Sequence, residues 1–206
     1  MKKILCYGDS NTFGLNISKF AQYDEDTRWS GILAKNLSDK FEVIVDGLNN
    51  RNGFVNNPEG FEYSAQRHFP KIISKFKDDL DILVLAVGTN DLQSQYDISF
   101  GMVEKGLENL ILTAVEKAVN HIILIPPVIL KENILNGFFK DQFDETSIEK
   151  SKKVGKVYRK LAKLYNCKIF DINEFTTPSD IDGLHYDETS HKLIAEKLTE
   201  FINNLG

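Results

Sequence analysis

The 206-residue sequence has very little cysteine: Cys6 and Cys167 are the two present. Both lie in apolar runs that predict buried strands, where a free thiol behaves as a small hydrophobic side chain. We expect both thiols to be reduced. A chain of this length buries roughly 70% of the surface that it exposes when unfolded, so it needs neither a disulfide nor a metal ion to fold. We predict one domain over residues 1–206.

The sequence also lacks an excess of basic residues and any long apolar run. The net charge is -5 at pH 7 and the isoelectric point is near 5.4, with Asp and Glu dispersed along the chain, so nucleic acid is not an expected partner. No segment approaches the ~20 apolar residues that span a bilayer, and the apolar stretch after Lys3 is too short for a secretory signal. These absences predict a cytoplasmic protein without a membrane partner.

Histidine is scarce as well, and the chain has four: His68, His121, His185 and His191. No pair of them has the spacing typical of a metal site, and Asp9 and Asp91 do not supply the missing ligands. We therefore expect neither a metal nor a cofactor. We expect His68 and His191 to lie on helix surfaces and His121 to begin a strand.

Apolar runs and helical patterns alternate along the chain. The runs are rich in Ile, Val and Leu and cover residues 3–7, 41–45, 81–87, 121–125 and 167–172. Segments with helical periodicity, at residues 29–37, 103–118 and 193–202, lie between or after them. This alternation predicts an α/β fold, a three-layer α/β/α sandwich of the flavodoxin-like type with a five-stranded parallel sheet in the order 2-1-3-4-5. In that order Cys6 and Cys167 are about 14 Å apart, too far for a disulfide.

Three segments fit neither pattern, and each starts where a predicted strand ends. They are residues 48–60, 89–100 and 126–141. In doubly wound sheets ligands bind in the crevice at the carboxyl ends of the strands. We therefore expect these loops to form the walls of a functional site.

A serine, a histidine and an aspartate are predicted to meet in this crevice. Ser10 follows the first strand, in "YGDSNTFG", and "DGLH" at residues 182–185 follows the last strand. Asp182 precedes His185 by three residues, so its carboxylate can bind one imidazole nitrogen and leave the other free to act as a base. Such a base is what a serine hydroxyl needs to become a nucleophile.

Hydrogen-bond donors for an oxyanion are predicted in the same crevice. The third strand ends in "VGTND", residues 87–91, where the Asn90 side chain can reach inward. The backbone N–H of Ser10 is a second candidate, and the loop after the second strand, "DGLNNRNG", should supply a third.

Four blocks in this order, "GDSNTFG", the Gly/Asn turn after strand 2, "GTND" and "DGLH", resemble those of the SGNH (GDSL) hydrolase family. The stretch "RWSGILAKNL" before "FEVIVDGLNNR" resembles its aryl-esterase and acyltransferase branch. The resemblance implies Ser10 as nucleophile, His185 as base and Asp182 as the residue that orients it. It also implies an oxyanion hole formed by Asn90 and by the N–H groups of Ser10 and the strand 2 loop.

The second block departs from the family pattern. Asn50, followed by Arg51, stands where the family usually has the donor glycine. Asn tolerates a left-handed backbone better than other non-glycine residues, so we assign the donor to Asn50, with Gly47 as the alternative.

Other prominent residues have ordinary interpretations. Trp29 is expected in the core, and Arg28 and Arg51 are expected to be solvated or to cap helices rather than to face an acidic substrate. Phe138 and Phe139 fit either a hydrophobic lid for an acyl chain or a loop anchor.

The predicted function is a serine esterase that hydrolyses small carboxylic esters through an acyl-enzyme. Three alternatives remain: a carbohydrate acetyl esterase, an acyltransferase that uses an alcohol in place of water, and a flavin- or phosphate-binding flavodoxin-like protein. Binding of a flavin or phosphate does not require the Asp and His of "DGLH", which counts against the flavodoxin-like alternative. Relatives of this type can be oligomeric, so a homo-oligomer is one of the possible states of this chain.

Overall fold

The computed structural model describes residues 1–76 and 79–205. In chain order the strands are β1 (Lys2–Gly8), β2 (Leu15–Asn16), β3 (Ala21–Gln22), β4 (Phe41–Gly47), β5 (Leu80–Ala86), β6 (His121–Leu124) and β7 (Lys168–Ile169). The helices are α1 (Ser10–Phe13), α2 (Trp29–Asn36), α3 (Ala65–Ile73), α4 (Phe100–Glu116), α5 (Glu145–Leu164) and α6 (Glu188–Asn203).

Five of the strands form one parallel sheet in the spatial order β4-β1-β5-β6-β7. Counted within this sheet the order is 2-1-3-4-5, so the predicted topology is confirmed. β2 and β3 form a small antiparallel pair outside it. Helix α2 packs against α6, and α4 packs against both α3 and α5, so helices cover the sheet in two groups as the three-layer prediction requires.

The centre of the sheet carries the core. Residues 4–7 of β1 and 82–85 of β5 are almost completely buried, which explains why their sequences are continuously apolar rather than alternating. Trp29 is 1% exposed at the start of α2, as predicted. Among the described residues, no helix is both long enough and apolar enough to cross a bilayer.

The last strand is much shorter than predicted. Residues 167–172 are apolar, but β7 contains only Lys168 and Ile169. The chain then turns, because the Asp171 side chain accepts the N–H of Asn173 and caps a 3-10 helix over Ile172–Glu174. Cys167 precedes this strand and is half-buried, so the prediction that it lies in a buried strand is wrong. Cys6 is fully buried in β1, and both are free thiols.

Candidate active site

The chain turns sharply at the end of β1 and places Ser10 in the first turn of α1. Asp9 caps this short helix by accepting the N–H of Asn11 at 3.0 Å. Gly8 is required by packing, because a Cβ atom there would lie 2.0 Å from Thr12 Oγ1 and 2.7 Å from the carbonyl oxygen of Ala86. The turn therefore presents the Ser10 side chain at the carboxyl edge of the sheet.

Residues from the two ends of the chain meet at this edge. His185 Nε2 lies 2.8 Å from Ser10 Oγ, across 175 positions of sequence. His185 Nδ1 lies 2.5 Å from Asp182 Oδ2. Asp182 and His185 are 1% and 3% exposed, so this chain of hydrogen bonds is shielded from bulk water.

The backbone fixes the Asp182 carboxylate against the imidazole. Its Oδ1 atom accepts the N–H groups of Leu184 and His185, each at 3.0 Å. Burial opposes the charge of this carboxylate, but the hydrogen bonds from the His185 ring and from the two N–H groups hold its pKa below the ordinary value. A charged Asp182 accepts a hydrogen bond from Nδ1, so the imidazole carries its proton there. Nε2 is then free to accept the Ser10 proton.

Ser10 and His185 open into a cleft of about 230 Å³. The cleft is lined by Ser10, Leu15, Asn49, Asn50, Asn90, Phe139, Gln142, Leu184 and His185. All the residues that the sequence suggested for the triad and the oxyanion hole, except Asp182 behind His185 and the alternative Gly47, thus share one cavity.

Two backbone N–H groups beside the cleft have no hydrogen-bond partner among the described residues. In residues 1–76 and 79–205 neither the Ser10 N–H nor the Asn50 N–H makes a hydrogen bond. Asn50 has φ 59°, the left-handed conformation that its position in the second block led us to expect. The Asn90 side chain donates from Nδ2 to the carbonyl oxygen of Arg51 at 3.0 Å, and an amide nitrogen has a second N–H to offer.

Gly47 does not line the cleft. It ends β4 and pairs with Gly8 of β1. A Cβ atom at Gly47 would lie 2.3 Å from the backbone nitrogen of Phe13, so this glycine allows α1 to pack closely on the strand. The geometry thus favours Asn50 over Gly47 as the donor.

The prediction that Arg51 is solvated or caps a helix is wrong, because Arg51 is 1% exposed. Its guanidinium donates to the carbonyl oxygens of Gly8, Asp46 and Glu62 and to the Asp46 carboxylate, and it lies 4.3 Å from the centre of the Tyr7 ring. These partners compensate the buried charge. Arg28, by contrast, is partly buried, directly before α2, and bonds to Glu25 and the Tyr23 carbonyl.

The surface positions expected for two histidines are also wrong. His68 is 8% exposed, and its Nδ1 lies 3.2 Å from the Tyr7 hydroxyl. His191 is 1% exposed, and its Nδ1 accepts the N–H of Trp29. Each faces the interior of the protein from its helix, α3 and α6. His121 begins β6, as predicted.

Asp91 joins two loops of the cleft. It is 0% exposed and accepts three consecutive backbone N–H groups, those of Gly53, Phe54 and Val55, at 2.5, 2.7 and 2.9 Å. Burial raises the pKa of this carboxyl to about 6, although the three N–H groups favour the charged form. The sequence suggested only metal binding for Asp91; its position next to Asn90 was the available sign that it belongs to the site.

Phe139 forms one wall of the cleft. Its ring centroid lies 5.6 Å from that of His185. The neighbouring Phe138 is 69% exposed and contacts the exposed ring of Phe20, with centroids 4.8 Å apart. The two phenylalanines therefore form an aromatic path from the imidazole to the surface.

A Ser–His–Asp chain of hydrogen bonds at the carboxyl edge of a parallel sheet is an arrangement that α/β ester hydrolases use. The chain belongs to the GDSL-like lipase/acylhydrolase family, whose sequence model matches residues 4–198. It is therefore a hydrolase that acts on ester bonds, and the flavodoxin-like binding alternative loses its basis. No curated protein matches the sequence.

Solved structures of esterases have the same fold. The inhibitor-bound aryl esterase of M. smegmatis is 24% identical, with a TM-score of 0.91 and all of both chains covered. A carbohydrate acetylesterase from Sinorhizobium meliloti is 22% identical, with a TM-score of 0.88 and the same coverage. A carbohydrate acetylesterase family member from that organism is 25% identical, covers 98% of both chains and has a TM-score of 0.87.

Proposed function

We propose that this protein is a serine esterase that hydrolyses small carboxylic esters through an acyl-enzyme. The observation that carries the proposal is the relay in which Ser10 Oγ lies 2.8 Å from His185 Nε2 while Asp182 binds His185 Nδ1. Ser10 is the nucleophile, His185 the general base and then the general acid, and Asp182 fixes the tautomer and stabilises the imidazolium.

The reaction proceeds in two acyl transfers. Ser10 Oγ bonds to the ester carbonyl carbon as its proton moves to His185 Nε2, and the carbonyl oxygen becomes an oxyanion. Collapse breaks the bond to the alcohol oxygen, which takes the proton from Nε2. Water then adds to the acyl-enzyme, giving one proton to Nε2, and the proton returns to Ser10 as the carboxylic acid leaves.

The oxyanion is stabilised by three donors in this proposal. They are the backbone N–H groups of Ser10 and Asn50 and the side chain of Asn90. The first two lack a partner within the described residues, which supports this role. Asn90 already has one N–H fixed by the Arg51 carbonyl, so its amide plane is set before substrate binds.

The alcohol part of the ester lies beside Phe139. The departing oxygen must take its proton from His185 Nε2, so the alcohol side of the cleft is the His185 side, where the Phe139 ring packs. The aromatic path to Phe138 and Phe20 favours an apolar or aromatic alcohol. The acetylesterase neighbours support acetylated carbohydrates as the second candidate.

Hydrolysis of p-nitrophenyl acetate tests the proposal. We expect turnover by the unmodified protein and none by Ser10→Ala. Ser38→Ala is the matched control, because Ser38 is an exposed serine just after the end of α2. A higher rate on acetylated xylose than on the aryl acetate would favour the second candidate. Ester formation when an alcohol is added would reveal acyl transfer. Full activity of Ser10→Ala would refute the assignment of the nucleophile.

A further inference from the structure

Asn50 holds a backbone conformation that its side chain has to support. With φ 59° it lies in the left-handed region, which is unfavourable by roughly 1–2 kcal/mol for a residue with a Cβ atom. A glycine at this position would pay no such penalty. The conformation matters because it determines where the Asn50 N–H points.

The Asn50 amide is bound at both of its ends. Its Nδ2 donates to Glu59 Oε1 at 2.6 Å, and its Oδ1 accepts from Gln93 Nε2 at 3.0 Å. These two hydrogen bonds fix the side chain while leaving the backbone N–H without a partner in the described part of the chain. The side chain therefore anchors the residue, and its backbone N–H remains available.

Gln93 is itself fixed in orientation. It is 3% exposed, and its Oε1 accepts Gln95 Nε2 at 2.8 Å. Because the Glu59 carboxylate can only accept, Asn50 turns its NH2 toward Glu59 and its oxygen toward Gln93, so the Gln93 NH2 group must face Asn50. The same Nε2 lies 3.4 Å from Asn90 Oδ1, a longer contact than the one to Asn50. One buried amide thus bridges two of the three oxyanion donors of the proposed mechanism.

We propose that Gln93 is a positioning residue that holds the Asn50 N–H in the orientation an oxyanion needs. This inference rests on the proposed function. Gln93 does not line the cleft, so it acts through Asn50. Its effect appears only when charge develops on the ester carbonyl oxygen, so it changes kcat rather than KM.

The substitution Gln93→Met tests this role, because it keeps the length of the side chain and removes the donor. Deletion of an oxyanion donor lowers kcat by about 100- to 1000-fold, so misalignment of one should lower it by about 10-fold or more, with KM changed less than about threefold. Gln93→Glu, with the same shape and an acceptor in place of the donor, should lower kcat at least as much. Gln22→Met is the matched control, since the Gln22 side chain is exposed and donates to the Phe13 carbonyl, away from Asn50 and Asn90.

A double-mutant comparison separates positioning from a merely structural role. In the Asn50→Gly background, whatever its own rate, the backbone no longer depends on the Gln93 bond. Gln93→Met should then lower kcat less than about threefold. This remaining effect comes from the loss of the weaker contact between Gln93 and Asn90. Unfolding temperatures of all variants, measured in parallel, identify any that are misfolded; Gln93→Glu replaces Gln93→Met in that case.

Two results would overturn the inference. One is a kcat of Gln93→Met equal to that of the unmodified protein. The other is the same loss of kcat in the Asn50→Gly background as in the natural one. If the proposed function itself is wrong, the unmodified protein shows no Ser10-dependent hydrolysis, which is a different outcome from Ser10-dependent hydrolysis that ignores Gln93.

Discussion

Replacement of Asp182 by Asn reverses the tautomer of His185 without removing the surrounding contacts. The Asp182 Oδ1 atom accepts two backbone N–H groups, those of Leu184 and His185. An asparagine must place its carbonyl oxygen there, because an NH2 group cannot accept. Its NH2 then faces His185 Nδ1 and donates to it, so the imidazole carries its proton on Nε2, pointing at Ser10. A protonated Nε2 cannot take the serine proton.

The expected effect on turnover is large. The same substitution in a serine protease triad lowers kcat by about 10⁴-fold, for the same reason of a wrong tautomer. At about 1.36 kcal/mol for each factor of ten, this corresponds to roughly 5.4 kcal/mol of activation free energy. The free energy of unfolding should change much less, since both backbone contacts to Oδ1 survive.

The assay is kcat for p-nitrophenyl acetate, measured with single-turnover controls between pH 6 and 9. Asp187→Asn is the matched control: Asp187 caps α6 by accepting the N–H of Ser190, and asparagine is an equally good cap. Asp182 does not control the His185 tautomer in this way if Asp182→Asn retains a kcat within tenfold of the unmodified protein, or if Asp187→Asn loses as much.

Two further predictions follow. Asn90→Ala removes an oxyanion donor and should lower kcat on the order of 100- to 1000-fold, about 2.7 to 4 kcal/mol, with the unfolding temperature nearly preserved; a rate like that of the unmodified protein would exclude the donor role. Burial lowers the pKa of His191 from 6.5 to about 4. Between these two pH values the unfolded chain binds a proton at His191 and the folded protein does not. The free energy of unfolding should therefore fall as pH drops from 6.5 to 4, by up to about 3 kcal/mol, and His191→Gln should remove that part of the slope in urea titrations. If the free energy of unfolding of His191→Gln depends on pH as steeply as that of the unmodified protein, His191 is not the source of this dependence.

The site residues that follow directly after strands could be placed from the sequence, because the sheet topology decides where they lie. Alternating apolar runs predict a parallel sheet, and the ends of parallel strands meet at one edge, so Ser10 and "DGLH" could be placed together from sequence alone. The family resemblance placed a donor at Asn50, and the structure gives Asn50 the left-handed backbone that asparagine tolerates better than other non-glycine residues. The single domain, the cytoplasmic location and the homo-oligomer stay predictions.

The burial of polar residues outside the predicted site, such as Arg51, His68 and His191, could not be predicted. A charged or imidazole side chain on a helix or loop looks solvated in a sequence, because its compensating partners come from distant segments. Arg51 is buried only because β1 and β4 end side by side and turn carbonyl oxygens toward it. The bonds of Gln93 to two asparagines likewise depend on how the loops fold over the sheet.

The proposed mechanism requires His185 to activate the Ser10 hydroxyl, and covalent labelling of Ser10 measures this activation. The protein is incubated with a fluorophosphonate, digested, and its peptides are weighed by mass spectrometry. We predict one adduct, on the Ser10 side chain, formed at a rate that His185→Ala lowers by at least about 100-fold, the lower end of the contribution of a general base. An adduct on another residue, or equally rapid labelling of Ser10 without His185, would exclude Ser10 as a nucleophile activated by His185.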